Sequence, residues 1–287
     1  MAVTEGQLLW EPSEEFVNNS NVTHYIQWLK DRNIVECGNY QELWQWSVDK
    51  TEFFWASLWD YFNIISDTPY DTVVDSTEFK PGNRWFSGSK VNFAEHILRH
   101  EKENTVALFH LSETRALTET DWQELASKVR ILATTMRSKD IKSGDTVCCL
   151  MPNIKETVIA MLATISIGAV WSNAAPEFGN QTVLDRFSQI KPKLLFVADG
   201  YQFGGKPFER STEIKEIVAT LSDSLEHVVY LPYLNPEIKT PPVSAILWDA
   251  MFEKEDPGKA EFKFERVAHD HPLWILFSSG TTGLPKA

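Results

Sequence analysis

Two glycines, four small hydroxyl residues and a lysine fall within residues 278–286: Ser278, Ser279, Gly280, Thr281, Thr282, Gly283, Leu284, Pro285 and Lys286. These residue types suit a polyphosphate. Gly280 and Gly283 let the backbone approach closely and accept positive φ, so that successive N–H groups converge on phosphate oxygens. Ser278, Ser279, Thr281 and Thr282 add neutral donors, and Lys286 adds a mobile positive charge. The apolar run at 273–277 is read as a buried strand leading straight into this loop. The alternative is an ordinary Ser/Gly/Thr turn, and the exit from an apolar strand at this spacing favours the phosphate cradle. The loop is not of the Walker A type, in which four residues separate the glycines and Lys-Ser/Thr follows the second directly. Here two residues separate the glycines, and the lysine follows the second by three.

The rest of the chain makes such a local feature necessary. A net charge of −13 repels nucleic acid and anionic membrane surfaces, so an anionic ligand needs its own positive site. At 287 residues the chain is long enough for one large or two ordinary domains, with a sizeable core. Cys37, Cys148 and Cys149 form no CxxC or Cys/His spacing. They are expected to be reduced thiols, with Cys148 and Cys149 as small core residues. Residues 1–16 lack the pattern of a secretory signal, so the Asn-x-Ser/Thr triplets at 18–20, 21–23 and 180–182 are read as chance. The longest apolar run, 158–171, is shorter than the roughly 20 residues of a membrane helix. It contains Thr164, Ser166 and Gly168, and no membrane insertion is expected.

The elements that must position the loop alternate from residue 105 onward. Strands are expected at 105–110, 146–151, 169–171, 193–198, 227–231 and 273–277. Between them, a helix capped by Thr120 or Asp121 carries Trp122, Leu125, Val129, Leu132 and Met136 on one face and ends near Lys139. A second, capped by Asn153 with Glu156 three residues on, stops at Gly168. Helices follow at 180–190 and 209–221; 235–243 is a Pro-rich loop and 253–265 a charged, exposed stretch. Short apolar strands separated by helices predict an α/β fold, a mostly parallel sheet flanked by helices. Ahead of it lies a Trp-rich helical segment: seven of the eleven tryptophans occur by residue 85. Phe54, Trp55, Leu58 and Phe62 form a helical stripe there, read as packing rather than as a ligand-stacking surface.

The segment SSGTTGLPK at 278–286 resembles the phosphate-loop signature of the adenylate-forming superfamily, which includes acyl-CoA synthetases, luciferases and peptide-synthetase adenylation domains. Residues 85–98, WFSGSKVNFAEHIL, resemble the WFxGxxLNxAENLL segment of the short-chain acyl-CoA synthetases. Residues 166–172, 176–179 and 183–193, with Trp10-Glu11-Pro12 and Trp46-Ser47-Val48, are similar to the acetoacetate-activating branch. The resemblance spans almost the whole chain. It implies a two-step reaction in which a carboxylate attacks the α-phosphate of ATP, giving an acyl-adenylate, and the thiol of CoA then displaces AMP. The implied small molecules are acetoacetate, ATP with Mg2+, and CoA as co-substrate, in the cytosol; acetate or propionate is the alternative acid. Ser278, Ser279, Gly280, Thr281, Thr282, Gly283 and Lys286 would be the phosphate contacts.

The family also uses an adenine- and magnesium-binding segment, a ribose-binding acid, a hinge and a mobile C-terminal domain with the adenylation lysine, all beyond this loop. None is found here, and Lys286 is not that lysine. The chain is therefore expected to be residues 1–100 of helical, aromatic-rich extension and 101–287 of an incomplete adenylation domain. No catalytic set is complete in it, and the fragment is expected to be inactive, or a non-catalytic product that binds a partner. Three further groups are weighed. His269-Asp270-His271 is read as a polar turn ended by Pro272 rather than a metal pair. Asp185 and Arg186 are read as a solvated face, since adjacent helical residues do not face each other. Trp171, Ser172 and Phe178 are candidates for lining an acyl or CoA pocket, because they flank a loop that follows a strand; a plain connecting loop is the other reading.

Overall fold

The computed structural model describes residues 4–78, 82–278 and 283–287. The chain divides into two compact units, Met1–Ile64 with Thr68–Ser89, and Ile65–Asp67 with Lys90–Ala287.

The first unit carries helices α1 (Glu14–Asn18), α2 (Asn21–Asp31), α3 (Tyr40–Asp49) and α4 (Thr51–Tyr61), then an antiparallel ribbon of β1 (Thr72–Val74) and β2 (Trp85–Ser87). Ser13, Ser20 and Asn39 cap the first three helices, each side-chain oxygen accepting a backbone N–H of the first turn. The core gathers Tyr25, Leu29, Cys37 and Leu43 with Trp28, Trp46, Phe54, Leu58 and Tyr61. Tyr25 satisfies its hydroxyl on Ser57 at 2.6 Å. The inward face of α4 is therefore Phe54, Ser57, Leu58 and Tyr61, which corrects the expected stripe. Trp55 is 40% exposed and Phe62 46%, because a rotation of about 100° per residue turns Trp55 off the face that Phe54 occupies. The glycine of the W-F-x-G segment has a clear backbone role. Gly88 lies at φ +90°, and a Cβ there would meet Asp71 Oδ2 at 2.5 Å.

The second unit begins with β3 (Lys90–Val91), α5 (Phe93–Leu98) and an antiparallel pair, β4 (Val106–His110) and β5 (Thr118–Asp121). It continues with α6 (Trp122–Ser138), β6 (Thr146–Leu150), α7 (Lys155–Ser166), β7 (Val170–Ala174), α8 (Asn180–Ile190) and β8 (Leu194–Ala198). A hairpin of β9 (Gly200–Phe203) and β10 (Lys206–Glu209) precedes α9 (Ser211–Thr220), β11 (His227–Leu231), β12 (Ile246–Leu247), α10 (Gly258–Glu261) and β13 (Val267–Ala268). Five strands form a parallel sheet in the order β12-β11-β8-β6-β7.

Alternation along the strands gives the sheet two separate cores. Val147 and Cys149, with Trp171, Leu194 and Phe196, pack on one face against α6 and α7. Cys148 and Leu150, with Leu195, Val197 and Tyr230, pack on the other against α8 and α9. The expected α/β class with helices on both faces is thus the fold observed. Asn92 is a joint between these parts. It caps α5 by accepting the Glu95 N–H, and its amide donates to the carbonyls of Ile165 and Glu265.

Several local expectations need correction. Asn153 does not cap α7, which starts after Ile154 without a side-chain cap. Glu156 is instead drawn into a partly buried pair with Arg115 at 2.7 Å. The stretch 253–265 is not simply exposed: Phe262 lies in the core, and Asp256 pairs with the buried Arg130. The strand expected at 169–171 runs on to Ala174, so Ser172 lies within β7 rather than in a loop. The apolar run 273–277 is not a buried strand either. It lies beside β7, with Trp171 N–H donating to Leu273 O at 3.1 Å and Ile275 N–H to Trp171 O at 2.8 Å. Its outer side belongs to the sheet edge, leaving Trp274 42% and Leu276 68% exposed.

Candidate functional site

The end of this edge segment turns into the glycine- and hydroxyl-rich loop. Ser278 and Lys286 exchange both backbone hydrogen bonds, each at 3.1 Å, and so close the mouth of the loop as an antiparallel bridge. Both residues are exposed, and Gly283 adopts φ +96°. Ser279, Gly280, Thr281 and Thr282 lie outside the described residues. Pro285, buried just inside the mouth, accepts a hydrogen bond from Gln189 Nε2 of α8 at 3.0 Å. Arg186, one turn earlier, lies with its guanidinium 5.8 Å from the ring centre of Phe277 and 5.2 Å from that of Phe178.

A second feature lies where the strands of the sheet end. The chain leaves β6 through α7 on one face and leaves β8 through α9 on the other. Adjacent strands whose connections part in this way leave a crevice at their carboxyl ends, the usual ligand position in open α/β sheets. Here it measures about 330 Å³ and is lined by Asn153, Thr157, Asn173, Glu177, Gln202 and Tyr233, among others. Its walls are braced from behind. Asp199, fully buried, accepts the backbone N–H groups of Tyr233, Leu234 and Asn235 at 2.7, 2.7 and 2.8 Å. Tyr233 donates its hydroxyl to Ser112 at 2.7 Å, and Arg115 lies 4.5 Å from the centre of its ring. Glu113 accepts the N–H groups of Gly204 and Gly205 at the tip of the β9–β10 hairpin, each at 2.8 Å. Those amides hold its carboxyl below the usual carboxylate range.

The structure does not bring the three candidate pocket residues together. Trp171 is buried in the core against Phe196, and Ser172 donates its hydroxyl to Ile275 O at 3.0 Å, tying the edge segment to β7. Only Phe178 is partly open, under the guanidinium of Arg186. Asp185 and Arg186 do not pair: Asp185 accepts from Gln181 at 2.6 Å, while Arg186 is half-buried between two rings rather than on a solvated face. Residues 269–271 form the expected turn, with His271 N–H donating to Ala268 O and its Nε2 2.8 Å from Gly168 O. Among the described residues, no group of three His, Cys, Asp or Glu is placed to hold a metal ion.

Sequence reasoning missed Arg186, Gln189, Asp199 and Glu113. Gln189, Asp199 and Glu113 meet partners dozens of residues away, as Arg186 meets Phe277, and no local spacing marks those contacts; Gly204-Gly205 between short runs was a legible hairpin signal for the turn that Glu113 grips.

The chain is similar to known proteins over nearly all of its length. Residues 94–287 match the family model described as AMP-binding enzyme, and residues 40–97 match that described as acetyl-coenzyme A synthetase N-terminus. The chain is similar to acetoacetyl-CoA synthetase of Gallus gallus, at 36% identity over 99% of this chain and 43% of the relative. It is also similar to acetoacetyl-coenzyme A synthetase of Rhizobium meliloti, at 35% identity over 97% of this chain and 42% of the relative. Malonamoyl-CoA synthetase of Penicillium aethiopicum matches at 30% identity over 98% and 40%. The solved structure of acetoacetyl-CoA synthetase from Streptomyces lividans superposes with a TM-score of 0.89 at 36% identity, covering 97% of this chain and 42% of that one. The chain thus spans about 43% of the length of the first of these relatives. On the match over residues 94–287, about two thirds of the chain, it belongs to the AMP-binding enzyme family.

Proposed function

We propose that this chain is the ATP-phosphate-binding portion of an AMP-forming acid:CoA ligase whose acid is acetoacetate. The observation that carries the reading is the closed mouth of the loop: Ser278 and Lys286 are bonded to each other through the backbone and exposed through their side chains. In that arrangement Ser278, Ser279, Gly280, Thr281, Thr282 and Gly283 hold the β- and γ-phosphates. Lys286 supplies the local positive charge that a molecule of net charge −13 otherwise lacks. Positioning and electrostatic stabilisation are what displacement at a phosphate demands of a protein. Magnesium enters as the ion carried by the ATP phosphates.

The crevice at the carboxyl ends of β6, β7 and β8 receives another part of a substrate. Trp171, Ser172 and Phe178 then act behind the acyl or CoA site rather than as its walls. The acetoacetate assignment draws on the relatives' names, supported by identities of about 36% over nearly the whole chain. Residues 1–100 are the helical extension and 101–287 part of the adenylation domain. The three cysteines are unpaired and buried, which supports a reducing, cytosolic setting; no helix among the described residues is long and apolar enough to cross a membrane.

Equilibrium dialysis of labelled ATP against the chain tests the reading. Saturable binding that Lys286→Ala weakens at least fivefold is expected, in line with the loss of one charge-assisted contact. Absence of binding at millimolar ATP would overturn it. Acetoacetate-dependent exchange of pyrophosphate into ATP is expected only from a protein that also carries the segments found in the relatives beyond this stretch.

A further inference from the structure

One helix face holds both ends of the phosphate loop. Thr182, Arg186 and Gln189 of α8 are spaced to lie on the same side of the helix. Arg186 Nη1 donates to Thr182 O at 2.8 Å, which folds the guanidinium back along the helix toward Phe277, the residue before Ser278. Three positions on, Gln189 donates to the carbonyl of Pro285, the residue before Lys286. Leu284 lies beside Gln189 over the neighbouring face and closes a groove of about 470 Å³ with Leu184, Asp185 and Ser188. The helix itself is a firm support, because Val183 and Phe187, about a third of a turn round from Arg186 and Gln189, are fully buried in the second core.

We propose that Gln189 and Arg186 are positioning residues of the phosphate loop. Gln189 fixes its exit through the Pro285 carbonyl, and Arg186 fixes its entry through the Phe277 ring. The inference rests on reading the loop as an ATP-phosphate site. Its physical basis is the weakness of the mouth alone. An isolated two-stranded hairpin is at best marginally stable in water, and here the mouth is a single bridged pair. A mouth free to open would spread the N–H groups that must converge on phosphate, and binding would then carry the cost of ordering them. Anchoring entry and exit to one helix seated on the second core removes that cost before ATP arrives.

The test compares Gln189→Met, which keeps the length but loses the donor, with Gln189→Lys, which restores a donor at similar reach. Both are made in the full 287-residue chain. Three quantities are measured: affinity for labelled ATP, hydrogen exchange of the 277–286 peptide, and melting temperature. Gln189→Met is expected to weaken ATP binding about fivefold, the usual worth of one hydrogen bond, and to speed exchange at 277–286. The melting temperature and exchange in β6 and β8 stay as in the wild type. Gln189→Lys returns both altered readouts toward the wild type, and Arg186→Met reproduces the Gln189→Met effects. Unchanged exchange at 277–286 in Gln189→Met would overturn the inference, as would a general loss of stability that Gln189→Lys does not rescue. If the wild-type chain binds no ATP, it is the reading of the loop that fails, and the exchange data still decide whether Gln189 holds its exit.

Discussion

Asp199 shows how much one buried side chain can organise. It sits at the carboxyl end of β8 and takes three consecutive N–H groups from residues 233–235, so that one wall of the crevice hangs on a single carboxylate. Asp199→Ala leaves those donors buried or forces the loop open, and should cost about 3 kcal/mol in urea denaturation. Arg130 and Asp256 give a pH-dependent counterpart. The Arg130 guanidinium, bonded to Asp256 at 2.7 and 2.6 Å, holds that carboxyl below the usual range, while partial burial acts the other way. The folded value lies below the unfolded one, so the stabilisation is complete above about pH 4 and is lost as pH falls through the folded value. Melting temperatures of wild type and Asp256→Asn should therefore differ near neutrality and converge in acid; a constant difference across the range would exclude this account. The loop chemistry was legible in the sequence because Ser278, Gly283 and Lys286 are close neighbours in it. The supports were not: Gln189 meets Pro285 across 96 positions, and nothing local in α8 announces that contact.

At the scale of elements, the long apolar periods were readable and the short pieces were not. The helix α6 follows its expected cap, since Asp121 accepts the Glu124 N–H at 2.7 Å, and the five-residue strands β6, β8 and β11 lie where apolar runs placed them. The pattern at Asn153 misled because Glu156 found a stronger partner in Arg115, an ion pair that outweighs a capping box. The hairpin of β9 and β10 escaped because β10 is exposed along its length and β9 buries only Gly200 fully, so neither strand shows a one-sided apolar face. Its tip is set by Glu113, so Glu113→Gln should speed hydrogen exchange at Gly204 and Gly205 several-fold without moving the melting temperature. Acidification should lower the protection of these two amides in the wild type, measured relative to their intrinsic exchange rate at each pH. The folded Glu113 carboxyl titrates below its unfolded value, and the grip it provides is lost as pH drops through that lower value. Exchange at the tip that ignores both changes would show that the hairpin holds itself.

For the whole molecule, the edge segment matters most. Leu273, Trp274 and Leu276 are exposed apolar side chains on the segment beside β7, and such an edge invites pairing with another chain. Concentration-dependent association is expected in size-exclusion chromatography despite the net charge of −13, and Leu276→Lys should shift the profile toward monomer. A single sharp monomer peak for the wild type at high concentration would count against this. The sheet order has a consequence for how the chain comes to be made. The oldest of the five strands, β6, lies inside, and each later strand takes a border already present. β7 joins one side of β6 and β8 the other; β11 and β12 follow beyond β8, and residues 273–275 come last, beyond β7. A ribosome delivers the N-terminal part first. In that order the sheet grows outward from its first-synthesised member, and no newcomer has to wedge between two strands that have already met.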